Sequence, residues 1–234
     1  MLIEFEDRPS RSPYVEKVWR SRSRGGGAFL SMAEGNIELV ISRLPGLVAV
    51  ILRGPVTRGS LVECPPDGQW LAIRFRLGTY FPRIPTILLL DHRDLVLPVD
   101  NGRFWLAGQY WPIPTFENAD DLAAQLAAAG VIARNHATDA AVEGDVSWMS
   151  KRSVQRHFRR VTGMTFSNYQ RIERARHAAA LLSDGQSILS TVFEAGYFDQ
   201  AHLTTSLREL VGMTPAAFSR ELPQLSFSSK AKLP

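Results

Sequence analysis

The stretches "RHFRRVTGMT" at Arg156–Thr165 and "TSLRELVGMT" at Thr205–Thr214 are two versions of one pattern. Each places an apolar residue third and an arginine fourth, and each closes on Gly-Met-Thr. Position 156 of the first stretch corresponds to position 205 of the second, an offset of 49 residues. The repeat predicts that the chain builds the same helix end twice.

Each stretch belongs to a predicted helix with the same spacing from a capping residue. Ser150 and Asp199 carry side-chain oxygens of the kind that cap a first helical turn. Counted from each cap, apolar residues fall at places +4, +8 and +11, and glycine follows at +13. This spacing makes one narrow buried stripe, and the glycine supplies a left-handed helix end. The two stripes are Val154, Phe158 and Val161, and Leu203, Leu207 and Leu210.

The face opposite the first stripe carries arginine and glutamine, which suit the major groove of DNA. Arginine recognises guanine there, and glutamine recognises adenine. We therefore predict two helix-turn-helix units, about residues 139–165 and 187–214. Ser187 and Gly196 provide the cap and the turn ahead of the second unit, whereas Gly144 lies inside the presumed partner helix of the first. The stretch between the units is one predicted helix of roughly 17 residues, about 25 Å long.

The positive charge of the chain is concentrated in residues 148–176. That segment holds eight basic residues against Glu173 alone, within a protein whose net charge is +4. A basic block of this kind is the footprint of a surface that binds a polyanion, although a solvated helix surface would have the same composition.

The N-terminal half has the texture of strands and turns. Ile37, Leu39 and Ile41 alternate with polar residues, and Leu71, Ile73, Phe75 and Leu77 alternate with Arg74 and Arg76. A period of two predicts strands with one buried and one solvated face, so we expect a barrel or sandwich. From Asn118, which can cap a helix, the chain becomes alanine-rich and helical. We therefore predict an α+β protein of two domains, a β-rich domain 1–116 and an all-α domain 117–234.

Composition narrows the cellular setting. No apolar run approaches 18 residues, and "MLIEFEDRPS" lacks the features of a signal peptide. The single cysteine, Cys64, provides neither an internal disulfide nor a cysteine-ligated metal site. We expect a cytoplasmic protein that does not enter a membrane.

Enzymatic and metal-dependent functions find little support in the sequence. The five histidines show no ligand spacing, and only His92 lies in the N-terminal half. Since no phosphate-binding loop or nucleophile elbow occurs, we expect no enzyme activity, no catalytic residues, no metal and no cofactor. If the β-rich domain binds a ligand, we expect Trp19, Trp70 and Phe75 to line its site; packing in the core is the alternative.

The segments "MSKRSVQRHFRRVTGMT", "RIERARHAAALL" and "SILSTVFEAGYFDQAHLTTSLRELVGMTPAAF" together resemble the DNA-binding domain of AraC-type transcriptional regulators over about 80 residues. "GYFDQAHL" and "GMTP" are the most specific pieces. The first half resembles the N-terminal domain of one group of these regulators, and such domains are generally cupin-like β-barrels used for effector binding or dimerisation. The resemblance implies a sequence-specific regulator of transcription.

The resemblance also implies which residues contact DNA. In the first helix the base-contacting places fall on Arg152, Gln155 and Arg156, and in the second on Gln200, Ala201, His202 and Thr205. Many members have a basic residue where this chain has Thr205, and Ala201 offers no hydrogen bond, so the second helix is expected to anchor the backbone through Arg208. The remaining candidates in the first helix are Lys151, Ser153, Arg159 and Arg160.

The expected partners are double-stranded DNA, contacted in its major groove, and a small molecule of unknown identity that binds the N-terminal domain. RNA polymerase and a second copy of the chain are further partners that the resemblance implies. Two alternatives stay open: a cupin-like enzyme fused to a DNA-binding module, and a DNA-binding protein that needs no ligand.

Overall fold

The computed structural model describes residues 3–145 and 149–221 of the 234-residue chain. A β-rich N-terminal part precedes a helical C-terminal part, which confirms the predicted α+β class. The strands are β1 (Ile3–Pro9), β2 (Val15–Ser23), β3 (Gly27–Ser31), β4 (Glu38–Leu44), β5 (Leu47–Arg53), β6 (Ser60–Cys64), β7 (Gln69–Phe75), β8 (Thr79–Tyr80), β9 (Leu95–Leu97), β10 (Val99–Asp100), β11 (Arg103–Leu106), β12 (Gln109–Pro112) and β13 (Ala133–Arg134).

The helices follow mainly in the second half of the chain, and a 3₁₀ turn (Thr86–Leu88) interrupts the strands. They are α1 (Ala119–Ala128), α2 (His136–Glu143), α3 (Lys151–Thr162), α4 (Phe166–Ser183), α5 (Ile188–Glu194), α6 (Gln200–Leu210) and α7 (Pro215–Glu221). None of the helices in the described part of the chain combines the length and the apolar run that crossing a bilayer requires.

The largest sheet contains six antiparallel strands in the order β1-β2-β7-β4-β5-β9. Its inner face carries the predicted alternating residues: Leu39, Ile41, Leu71 and Ile73 are all buried in one core. Helix α1 contributes alanine and leucine side chains to the same core. Asn118 stands at the start of α1 as predicted, but its side chain accepts a hydrogen bond from the Thr115 amide (2.7 Å) instead of capping the helix.

Part of the opposite face of this sheet is buried. The alternation predicts that Arg74 faces solvent, and this prediction is wrong. Glu38 and Arg74 face each other across β4 and β7, and each side chain is only 1% exposed. The Arg74 Nε donates to Glu38 Oε1 (2.8 Å), and the Trp19 indole donates to the same oxygen (3.1 Å). Burial is tolerated because each charge has a partner of opposite sign.

The chain folds into two compact units that do not follow the order of the sequence. One unit contains residues 1–26, 35–55 and 65–166, and the other contains 27–34, 56–64 and 167–234. Helices α1 to α3 thus belong with the main sheet, and α5 to α7 belong with the ribbon formed by β3 and β6. The boundary expected between residues 116 and 117, and the cupin-like character of the β-rich domain, stay predictions.

Candidate nucleic-acid interface

Helix α3 forms where the first copy of the repeat predicts it. The Ser150 hydroxyl accepts a hydrogen bond from the Ser153 amide (3.2 Å) and caps the first turn. At the other end Gly163 adopts φ +75°, and a Cβ there would press on the backbone of Ile87 in the 3₁₀ turn. The whole predicted stripe is buried, which fixes the side of α3 that faces away from its packing partners.

The outward side of α3 carries a row of exposed polar side chains. They are Arg152, Gln155, Arg156, Arg159 and Arg160. Ser153 is half-buried, and its hydroxyl accepts a hydrogen bond from the Ser150 hydroxyl (3.0 Å). The side chain of Lys151 lies outside the described residues. Among the carboxylates that the structure describes, none pairs with the four arginines of this face, so their charge is available to a polyanion.

The partner helix ahead of α3 is shorter than the sequence indicates. Helix α2 begins after Asn135, whose side chain accepts from the Thr138 amide (3.1 Å). It ends at Gly144, which has φ +79° and is the helix end rather than an interior residue. The correction has a simple cause, since a left-handed glycine terminates a helix. Trp148, which lies between α2 and α3 in the sequence, is outside the described residues.

Helices α5 and α6 reproduce the second predicted unit. Ser187 caps α5 by accepting from the Ser190 amide (3.1 Å), and Asp199 caps α6 by accepting from the His202 amide (2.7 Å). Gly196 adopts φ +67° at the turn between them. Leu203, Leu207 and Leu210 are buried as the spacing predicts.

All of the predicted DNA-facing residues of α6 are exposed. The exposed candidates are Gln200, Ala201, His202, Thr205 and Arg208. The His202 ring meets the Tyr197 ring edge-on, with centroids 5.1 Å apart. Tyr197 is buried, and its hydroxyl lies 3.0 Å from the Ser206 hydroxyl. Burial raises the pKa of Tyr197, and the hydrogen bond to Ser206 offsets only part of this increase. The buried Tyr197 ring therefore packs against the exposed His202 ring at the start of α6.

Phe198 is the residue of this unit whose position the sequence does not indicate. Tyr197 and Phe198 both suggest aromatic packing in the turn, and this is correct for Tyr197 only. Phe198 is 91% exposed and directly precedes the Asp199 cap. Tyr197 is instead held in the turn by its hydroxyl contact with Ser206.

The arginines of α4 have partners, unlike those of α3. Arg171 pairs with Glu209 (2.8 Å), and Arg174 stacks on the ring of Tyr197 (5.9 Å to its centroid). Arg176 is largely buried and donates to the carbonyl oxygen of Ala33 (3.3 Å). The basic block of residues 148–176 therefore offers its unpaired charge mainly through α3.

A segment of the N-terminal half is built into the second helix-turn-helix unit. The β3–β6 ribbon docks at the end of α6, where the Ala33 amide donates to the Leu210 carbonyl (2.8 Å) and the Gly59 amide donates to the Glu209 carbonyl (2.9 Å). These bonds satisfy two of the carbonyls that a helix end leaves without partners. A Cβ on Gly59 would overlap the backbone of Val211. The sequence carries no local signal for this contact.

The three candidate ligand residues of the β-rich part are placed differently. Phe75 is fully buried in the core, and Trp19 is buried with its indole bonded to Glu38. Trp70 is half-buried and lines a cavity of about 630 Å³. Only Trp70 is therefore in contact with open space, and the assignment of the three residues to a ligand stays a prediction.

The side chains that could bind a metal lie apart from one another in the part of the chain that the structure describes. Within residues 3–145 and 149–221, no three His, Cys, Asp or Glu side chains converge as metal ligands would. Cys64 is free and half-buried, and burial raises the pKa of its thiol, which lowers its reactivity.

Comparison with known proteins identifies the helical part. A family model described as a helix-turn-helix domain matches residues 146–221. The C-terminal part of this chain is a helix-turn-helix domain of the AraC type. The HTH-type transcriptional regulator RipA of Corynebacterium glutamicum is 32% identical over 95 residues, which are 40% of this chain. The matched region spans 29% of the length of RipA.

Solved structures of one protein resemble the chain over most of its length. A 1.65 Å structure of ToxT from Vibrio cholerae aligns with 94% of this chain and 98% of ToxT, at 10% identity and a TM-score of 0.41. ToxT bound to (E)-4-(8-methylnaphthalen-1-yl)but-3-enoic acid aligns over the same shares, at 9% identity and a TM-score of 0.40.

Proposed function

We propose that this chain is a sequence-specific DNA-binding regulator of transcription. The observation that carries the proposal is the exposed face of α3. This face holds Gln155 and four arginines that have no carboxylate partner among the described residues. The helix itself is capped at both ends. A rigid helix with such a face fits the major groove, where arginine and glutamine bind base edges. The helix-turn-helix domain supplies the framework that such helices require.

The residues divide by the part of DNA that they contact. Arg152, Gln155 and Arg156 contact bases, and Arg159 and Arg160 contact phosphates, with Lys151 and Ser153 at the start of the helix. In α6, Gln200, His202 and Thr205 contact DNA more weakly, Ala201 offers an apolar contact, and Arg208 anchors the backbone. The α6 assignment is supported by exposure of all five side chains.

The dependence of affinity on salt tests the proposal. Each phosphate that an arginine neutralises releases counterions, so the plot of log affinity against log salt has a slope of about −0.9 per phosphate. We expect the affinity for a selected DNA site, measured by fluorescence anisotropy, to fall steeply between about 50 and 200 mM salt. Arg159→Gln should make the slope shallower by about one phosphate.

A matched control comes from an arginine with a structural partner elsewhere. Arg24→Gln removes an exposed charge that pairs with Glu4 (2.7 Å) in the β-rich part, and should leave the slope unchanged. A slope near zero for the wild type would exclude binding through phosphates and so the proposed function.

We propose that the β-rich part binds a small molecule that controls DNA binding. We also propose that the chain has no enzyme activity. A homodimer and contact with RNA polymerase belong to the same proposal, as does a cytoplasmic location. Titrating the full-length protein with metabolite pools while following tryptophan fluorescence separates a sensor from a ligand-independent DNA-binding protein. Turnover of a pool component during that titration would favour a fused enzyme instead.

A further inference from the structure

Three side chains form a row across the main sheet, at the edge where β2 and β4 end and β7 begins. Arg22 pairs in register with Gln69, and Gln69 pairs in register with Arg43. Residues in register point to the same face of a sheet, and neighbouring strands lie about 4.8 Å apart. The two arginines therefore start roughly 10 Å apart, on either side of the Gln69 amide, close enough for both guanidinium groups to reach one anion.

This row borders a cavity of about 630 Å³, within the size range of small-molecule sites. A residue further along β7, Leu71, is buried and lines the cavity together with Pro114 and Phe116. The Arg20 guanidinium stacks on the Phe116 ring, 4.5 Å from its centroid. The stack holds the ring beside the cavity and gives the site an apolar wall.

The carboxylates of the lining are committed to other arginines. Glu6 pairs with Arg20 (2.7 Å), and Glu117 lies 3.7 Å from the same guanidinium. Glu4 lies opposite Arg22 in register across β1 and β2, and its carboxylate pairs with Arg24 (2.7 Å), which does not line the cavity. Among the described residues, neither Arg22 nor Arg43 has an ion pair or a side-chain hydrogen bond.

Two neighbouring guanidinium groups that form no ion pair among the described residues favour an anion between them, and Glu4 lies on the side of Arg22 away from Arg43. We propose that the cavity binds an organic anion, a carboxylate or a phosphate ester, whose acidic group lies between Arg22 and Arg43. The Gln69 amide donates a further hydrogen bond, and an apolar body rests against Leu71 and Phe116. This site names the class of the effector proposed above, and only its regulatory consequence rests on that proposal.

Binding to the full-length protein, without DNA, tests the site. The probes are 4-phenylbutyrate, phenyl phosphate and the uncharged 4-phenylbutanol, followed by calorimetry and ligand-observed NMR. We expect one or both acids to bind, and the alcohol to bind at least about tenfold more weakly, because it lacks the charge-assisted hydrogen bonds. Comparison of the two acids distinguishes a carboxylate site from a phosphate site.

The variants Arg22→Gln and Arg43→Gln should each weaken binding of the preferred acid by about tenfold or more. Arg83→Gln is the control, because Arg83 lines a separate cavity of about 500 Å³. Circular dichroism of each variant checks that the sheet is intact. Equal binding of acid and alcohol, unchanged affinity in the Arg22→Gln and Arg43→Gln proteins, or binding of neither acid would each overturn the proposal. Because the measurement contains no DNA, failure of the DNA-binding function leaves its outcome intact.

Discussion

Gln155 and Arg156 differ from Arg159 in their place along α3, since both come nearer the start of the helix. Glutamine and arginine near the start of a groove helix reach base edges, whereas Arg159 stands one turn further on, toward the backbone. We expect Gln155→Ala and Arg156→Ala each to relax preference at particular bases by about 1–3 kcal/mol. Arg159→Ala and Arg208→Ala, which occupy equivalent places after the two caps, should weaken binding to all sequences alike.

Selection of random DNA libraries with each variant measures this difference. Wild-type sequence preferences in both the Gln155→Ala and the Arg156→Ala proteins would show that α3 is not the helix that recognises bases.

The buried Glu38 links the stability of the β-rich part to pH. Burial favours the neutral acid, but the charges of Arg74 and Arg53 and the hydrogen bonds from Trp19 and Arg74 outweigh it and lower the pKa of Glu38 below its ordinary value of 4.5. A carboxyl with a lowered folded-state pKa stabilises the fold above its unfolded-state pKa and loses that contribution as pH falls through the folded-state pKa.

We expect Glu38→Gln to lower the free energy of unfolding at pH 7 by about 3–5 kcal/mol, since it removes the carboxylate that pairs with the buried Arg74 guanidinium. The gap between wild type and variant should narrow as the pH falls below 4.5. Urea unfolding at pH 7, 5 and 4 measures it, with the exposed Glu6→Gln as control. A gap that stays constant with pH would mean that folding does not change the pKa of Glu38, and a gap that widens as the pH falls would mean that its folded-state pKa is raised.

Elements held by local chemistry could be predicted from the sequence, and elements held by distant contacts could not. The caps Ser150, Ser187 and Asp199 act within three residues of themselves, so their helices begin where the sequence indicates. The β3–β6 ribbon depends on Gly59 meeting α6 about 150 residues later, and no spacing along the chain records that contact. The alternation in β7 predicts that Arg74 faces solvent, and this prediction is wrong for the same reason. Its partner Glu38 lies on another strand, which the pattern of β7 alone does not record.

The ribbon gives a prediction for α6. Replacing Gly59 by valine places side-chain atoms where the backbone of Val211 lies, and should destabilise the protein by about 1–3 kcal/mol or more through overpacking. Leu61→Ala is the control in the same ribbon, since Leu61 is 67% exposed and should have little effect. Thermal unfolding measures both. If the Gly59→Val protein is as stable as the Leu61→Ala protein, the ribbon does not hold the end of α6.

Helices α3 and α6 belong to different compact units, each of which includes segments of the N-terminal half. The sequence presents the DNA-binding region as one consecutive block, because repeats and caps are visible only along the chain. The structure instead associates α3 with the main sheet and its 3₁₀ turn, and α6 with the β3–β6 ribbon. The proposed ligand cavity is lined by residues of the unit that contains α3, so a ligand bound there would act first on that unit.

The repeat offset of 49 residues predicts a spacing on DNA. Helix α4, 18 residues long, joins the two helix-turn-helix units and is about 27 Å in length. We expect one molecule to protect two successive major-groove segments about 10–10.5 bp apart, with unlike sequences because α3 and α6 carry unlike residues.

Inserting 5 bp between the segments turns them to opposite faces of the duplex, and affinity should fall toward that of one unit. Inserting 10 bp restores the face but adds about 34 Å, which α4 cannot span while it stays helical, so affinity should remain low. Footprinting and affinity measurements on the three DNA spacings test this, with a site that lacks the α6 segment as the reference for one-unit binding. Recovery of affinity at 10 bp would show that the two units are joined flexibly and that the length of α4 does not set their spacing.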